Sequence, residues 1–199
     1  MNFDIYLPEL QGVKIGYAVC GSFCTFEKSF LQAEKLADSG AVLTPIMSFN
    51  ACGIDTRFGK AEDNKRRLEE ICLCSAITTI EDAEPIGPKN MFDVVVVCPC
   101  TGNTLAKIAY GIVDTPVTMA VKSHIRNSKP VVIAIATNDA LAGCAKNIGI
   151  VMNYRNFYFT PMKQDDTKNK PRSAIADFNK LPETIFAALY GNQIQPIYY

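Results

Sequence analysis

Apolar residues in this chain fall into short unbroken runs separated by stretches of helical periodicity. Val94 to Val97 within FDVVVVCPC and Pro130 to Ala136 (PVVIAIA) are apolar at consecutive positions, as is Val13 to Cys20 (VKIGYAVC) apart from Lys14. Such runs are the pattern of parallel strands covered by helices on both sides. Ala41 to Met47 (AVLTPIM), Ile77 to Ile80 and Phe157 to Phe159 read as further strands. Between the runs, Phe26, Phe30, Ala33 and Ala37 share one helical face that ends at Gly40. From Lys60 to Cys74 the charges of KAEDNKRRLEE lie opposite Leu68, Ile71 and Cys72. Asn103 to Tyr110 is helical with Leu105, Ala106, Ile108 and Ala109 inward, and Asp114-Thr115-Pro116 starts a helix to His124 or Ile125. Helices are also predicted from Ala140 to about Lys146 and from Ser173 to Leu189, the latter interrupted at Pro182. Glu84 to Asn90 and Pro161 to Pro171 read as loops, and 160–173 is expected to be a lid or an oligomer contact. The alternation of strand and helix predicts one doubly wound α/β domain over 1–199, Rossmann- or flavodoxin-like, with a mainly parallel central sheet.

Composition narrows the function classes. Lys plus Arg and Asp plus Glu are 20 each, which argues against nucleic-acid or membrane-surface binding. No apolar run approaches the roughly 18 residues of a membrane span. The N-terminus MNFDIYLPEL lacks the basic and apolar regions of a signal peptide, so the eight cysteines read as free thiols in a reducing cytoplasm. Cys72-Leu-Cys74 and Cys98-Pro-Cys100 lack C-x-x-C spacing, and no metal site is expected.

Candidate chemistry gathers where strands stop. Gly21-Ser22 follows the first strand, Ser48-Phe49-Asn50 the second, and Pro99-Cys100-Thr101-Gly102-Asn103-Thr104 the valine run. Thr137-Asn138-Asp139 follows PVVIAIA. Turns of small and hydroxylated residues that open helices present backbone N–H groups to an anion at the carboxyl edge of a sheet. Ser22 is either a helix cap or a phosphate contact, and Asn138 or Asp139 either a cap or a ligand group. Neither G-x-G-x-x-G nor a P-loop is present. His124, the single histidine, reads as a surface residue in the last turn of its helix rather than a catalytic one. No residue stands out as a general base.

Three of these turns carry a resemblance. Gly21-Ser22, PCTGNT ahead of LAKIAYGIVD, and Thr137-Asn138 resemble signature elements of the flavoprotein family that includes the homo-oligomeric flavin-containing cysteine decarboxylases. Over nearly the whole chain, NDALAGCAKNIG, YFTPMKQDD, KNKPRSAIADF and GNQIQP are similar to the dipicolinate synthase B subunits of that family. The resemblance implies an FMN-type homo-oligomer working with a dehydrogenase-like A subunit that brings NAD(P). Together they would oxidise dihydrodipicolinate to dipicolinate during sporulation, in the mother-cell cytoplasm. By matching motif, Gly21, Ser22 and Ser48 would hold the flavin phosphate, and Pro99, Cys100, Thr101 and Thr104 would line the flavin ring. Asn103 and Asn138 would meet the substrate, and Arg57, Lys60 and Arg126 are the cations available for a dianionic dicarboxylate. The decarboxylases' histidine after the second strand is missing between Ser48 and Lys60, and Thr137 replaces their methionine. A stand-alone FMN-dependent decarboxylase is therefore disfavoured; a non-catalytic partner subunit is the other alternative.

Overall fold

The computed structural model describes residues 10–199. Five parallel strands form its centre: β1 (Lys14–Val19), β2 (Val42–Met47), β3 (Val94–Cys100), β4 (Val131–Thr137) and β5 (Phe157–Phe159). They lie in the order β2-β1-β3-β4, with β5 beside the first half of β4. This is the doubly wound order whose strand sequence reverses between β1 and β3, leaving a crevice at the carboxyl ends where ligands bind. Every residue of β3 is buried, as expected of a strand with a neighbour on each side and helices on both faces.

The helices are α1 (Phe26–Asp38), α2 (Phe49–Gly53), α3 (Ala61–Cys72), α4 (Ile80–Ala83), α5 (Gly102–Tyr110), α6 (Pro116–Ile125), α7 (Ala145–Met152) and α8 (Leu181–Leu189). On one face of the sheet α1, α3 and α8 bury Phe26, Phe30, Leu36, Leu68, Leu181 and Ile185. On the other, α5, α6 and α7 bury Leu105, Ile108, Val117, Val121, Ile148 and Val151. A buried polar chain ties α1 to β3: the Tyr17 hydroxyl donates to the Ser29 carbonyl at 2.8 Å, and Ser29 Oγ donates to the Cys98 carbonyl at 2.7 Å. Each bond adds about 1 kcal/mol net, but losing one partner leaves a buried polar atom at a cost of about 1–3 kcal/mol.

Several expectations change. Pro161 to Pro171 is not a loop: β6 (Met162–Asp166) and β7 (Lys170–Ala176) form an antiparallel hairpin. Its turn closes through Asp166 Oδ1, which accepts the N–H of Lys168 and Asn169 at 3.1 and 3.0 Å. β7 then joins the last two residues of β4, pairing Ala136 with Ile175 and Thr137 with Ala174. The segment from Ser173 is therefore strand, and Pro182 opens α8 rather than interrupting a longer helix. The helix expected from Ala140 starts at Ala145. Ile77 makes a single bridge to Ile46, and Ile80 begins α4.

Candidate functional site

A cavity of about 460 Å³ opens at the carboxyl edge between the turns after β1, β3 and β4, with the β6–β7 hairpin as its far wall. That size lies within the roughly 300–1,000 Å³ of small-molecule sites. A cavity of similar size, about 440 Å³, lies between α5, α6 and the start of β5. Its walls mix aliphatic side chains with Lys107, Lys122 and Arg155 and hold none of the expected site residues, which gather instead at the strand ends.

After β1 the chain tightens at once. The Ser22 N–H donates to the Cys20 carbonyl at 2.7 Å, and both the N–H and hydroxyl of Thr25 donate to the Ser22 carbonyl. Neither hydroxyl caps α1, so the capping reading of Ser22 is corrected. Ser22 lines the cavity instead. Gly21 is pressed against its surroundings: a Cβ there would lie 3.3 Å from Asn50 Cβ and 3.5 Å from the Phe23 ring.

After β3, Thr101 caps α5 by accepting the Thr104 N–H at 3.2 Å, while Asn103 points into the cavity lining unused by the cap. After β4, Thr137 Oγ1 donates to Asp139 Oδ1 at 2.6 Å. Neither Asn138 nor Asp139 caps α7, whose cap position is Cys144. Asn138 and Asp139 both line the cavity. The two turns touch at Gly102, where a Cβ would sit 2.7 Å from Thr137 Oγ1 and 2.9 Å from Asp139 Oδ1.

The expected residues thus divide. Gly21, Ser22, Thr101, Asn103 and Asn138 meet around one cavity. Pro99, Cys100 and Thr104 are buried behind it and do not line it. Ser48 is buried too, capping α2 through the Ala51 N–H at 3.3 Å, so the loop expected there is a helix start. Arg57 stands outside the lining, stacked 4.8 Å from the Phe58 ring centroid, and Phe58 forms part of the rim. Lys60 occupies the residue before α3. Arg126 ends α6 at the opposite, amino edge of the sheet and is removed as a substrate cation. Sequence reasoning missed Asp165, Lys170 and Ser173 to Ile175 of the hairpin wall. The Asp166 turn in DDTKNK was the available sign of it.

Electrostatics excludes other candidates. Burial pushes the thiols of Cys20 and Cys144 up to about 11 and Cys98 up to about 12, and holds Cys100 well above the usual thiol range, so these four stay protonated and unreactive. His124 is not a surface residue: it is 1% exposed, and its Nε2 lies 3.1 Å from the Pro130 carbonyl. Burial pushes its pKa down to about 4, so it is neutral and remote from the cavity.

Residues 5–187 match the flavoprotein family. The chain belongs to that family. This flavoprotein is 42% identical over 191 residues, 96% of both chains, to the dipicolinate synthase B subunit of Bacillus subtilis (strain 168). Among solved structures, the dipicolinate synthase B subunit from Bacillus halodurans C superposes with a TM-score of 0.88 at 39% identity, covering 96% of this chain and 98% of that one. The FMN-dependent cysteine decarboxylase SpaF shares the fold, with a TM-score of 0.63 at 24% identity over 90% and 98% of the two chains.

The cavity of this flavoprotein fits a flavin nucleotide on its own geometry. The tight Gly21-Ser22 turn offers the uncommitted Ser22 hydroxyl to a phosphate, while the Ser22 N–H is held by the Cys20 carbonyl. Ala136, Ala174 and Ile175 offer apolar contact, and the Asn103 and Asn138 amides offer donors and acceptors, as a ring edge requires. Among the described residues, no group of three metal-ligating side chains converges, and no helix is long and apolar enough to cross a membrane.

Proposed function

We propose that this flavoprotein is the B subunit of a two-subunit dipicolinate synthase. With a dehydrogenase-like A subunit carrying NAD(P), it oxidises dihydrodipicolinate to dipicolinate in the cytoplasm of a sporulating mother cell. The observation that carries this reading is 42% identity over 96% of both chains, together with the turns that meet around one cavity.

Each part of the cavity has a role in this reading. Gly21 and Ser22 hold the phosphate of FMN, and Thr101 fixes the first turn of α5 beside its ring. Bound FMN supplies a ring able to take up or release a hydride. Asn103 and Asn138 orient the substrate ring by their amides. Arg57, at the rim, attracts the dianionic dicarboxylate, and the β6–β7 hairpin shields the cavity from water or meets a second copy in a homo-oligomer. Buried, protonated thiols at the strand ends leave no cysteine nucleophile behind the ring. With no histidine between Ser48 and Lys60, cysteine decarboxylation is not supported.

The test is co-expression with a dehydrogenase-like A subunit, co-purification, and an assay of dihydrodipicolinate oxidation with NAD(P). A stable pair that forms the aromatic product, with neither chain active alone, is the expected result. Failure of the pair to turn over would end the proposal. Titration with FMN examines the cofactor separately, and absence of a flavin absorbance shift would remove FMN while leaving the subunit assignment standing.

A further inference from the structure

The titratable side chains that line the cavity are Cys24, Asp139, Asp165 and Lys170. Asp165 and Lys170 neutralise each other at 2.9 Å. The remaining polar lining consists of hydroxyls and amides, which neither gain nor lose a proton near neutrality. His124, the one histidine of the chain, is buried elsewhere against the Pro130 carbonyl. Asp139 is therefore the carboxylate of the lining that no cation pairs with among the described residues.

Its position is built rather than incidental. Oδ1 accepts from Thr137 Oγ1 at 2.6 Å, which fixes the orientation of the carboxylate. The Asp139 carbonyl accepts the N–H of Ala142 and Cys144 at 2.9 and 3.1 Å, fixing the backbone beneath it. The absent side chain of Gly102 lets the carboxylate approach the first turn of α5, since a Cβ there would stand 2.9 Å from Oδ1. The carboxylate is thus held beside the same turn that presents Asn103 to the cavity.

We propose that Asp139 is the catalytic base of the oxidation, an assignment that rests on the dipicolinate synthase reading above. Aromatising a dihydropyridine dicarboxylate removes two hydrogens from the ring. One leaves its carbon with the bonding pair as a hydride, which reduces the NAD(P)⁺ of the partner to NAD(P)H. The other passes as a proton to the Asp139 carboxylate, and the electron pair of its broken bond becomes the new ring double bond. The Asp139 carboxyl then returns the proton to water.

The experiment compares wild type, Asp139→Asn, Asp139→Glu, Cys24→Ser and Thr137→Ala, each reconstituted with the A subunit. Asp139→Asn should lower kcat by about 10²–10⁴-fold with little change in KM. It should also abolish the acid limb of the kcat/KM profile, while Asp139→Glu keeps a limb and part of the rate. Cys24→Ser should keep the wild-type limb. Thr137→Ala releases the carboxylate from the hydrogen bond that orients it, so kcat should fall by up to about 10²-fold with little change in KM; this arm also decides the case if Asp139→Asn fails to fold. An inactive wild-type pair overturns the functional reading and the base with it. An active wild type whose Asp139→Asn variant keeps its rate and acid limb overturns the base alone, as does loss of the limb in Cys24→Ser or an unchanged kcat in Thr137→Ala.

Discussion

The ends of β3 and β4 carry the similar sequences Thr101-Gly102-Asn103 and Thr137-Asn138-Asp139, and both follow fully apolar strands. At β3 the threonine hydroxyl accepts the Thr104 N–H and α5 begins at Gly102. At β4 the hydroxyl turns to the Asp139 carboxylate, and α7 waits until Ala145. The difference is one of space. α5 enters so close to the β4 turn that its first residue has no room for a Cβ against Thr137 and Asp139, and the chain beyond turns through the Ala142 and Cys144 N–H bonds to the Asp139 carbonyl before α7 begins. A hydroxyl used as a cap serves the fold, whereas one aimed at a carboxylate shapes the cavity.

The largest effect on stability is expected from His124, and it must be known before pH profiles of the two turns are compared. Its folded pKa is pushed down to about 4 from an ordinary 6.5. Above the ordinary value the residue is neutral in both folded and unfolded chains, and its contribution is fully present. As pH falls from 6.5 towards 4, the unfolded chain takes up a proton that the folded one refuses. Stability should drop by roughly 3 kcal/mol across that window. Urea denaturation near neutrality and near pH ~4.5 measures the drop, and His124→Gln should flatten it; an equal slope in the variant would show that another group is responsible.

Gly102→Ala comes next, because it forces the two turns apart. Its Cβ would meet Thr137 Oγ1 at 2.7 Å and Asp139 Oδ1 at 2.9 Å, an overpacking cost of about 1–3 kcal/mol. Both contacts are side-chain ends, so Thr137→Ala in the same chain should recover part of the loss. A double-mutant cycle with coupling above about 0.5 kcal/mol supports direct contact; strict additivity would mean that the turns are independent.

How much of this was legible follows from which forces are local. The strands β1, β3 and β4 were readable because burial on both faces demands apolar residues at every position. The start of α6 at Thr115-Pro116 was readable because capping acts within four residues. The hairpin was not: Lys163, Gln164 and Asp165 of β6 are exposed or nearly so, and only pairing of β7 with Ala136 and Thr137, far away in sequence, makes them strand. The same limit hid the burial of His124 and the convergence of Asp165 and Lys170 on the cavity. The similarity of PCTGNT to a flavoprotein signature located the β3 turn, but burial separates Thr101 and Asn103 from Pro99, Cys100 and Thr104 within it.

The smallest effects separate the two threonines themselves. Thr101→Ala removes a cap from α5 and leaves the Thr104 N–H without its side-chain acceptor. A loss of about 1 kcal/mol is expected in chemical denaturation. Thr137→Ala removes only the hydrogen bond to Asp139, while the Thr137 carbonyl keeps its bond from Ser173 Oγ at 3.2 Å and Thr137 keeps its pairing with Ala174. Stability should change by no more than about 0.5 kcal/mol, although the geometry of the cavity carboxylate is altered. Equal losses in the two variants would erase the distinction between the hydroxyl that builds a helix and the hydroxyl that positions a side chain. Unequal losses, with the larger at Thr101, would place the structural role at β3 and leave the β4 turn free to be judged by its effect on turnover.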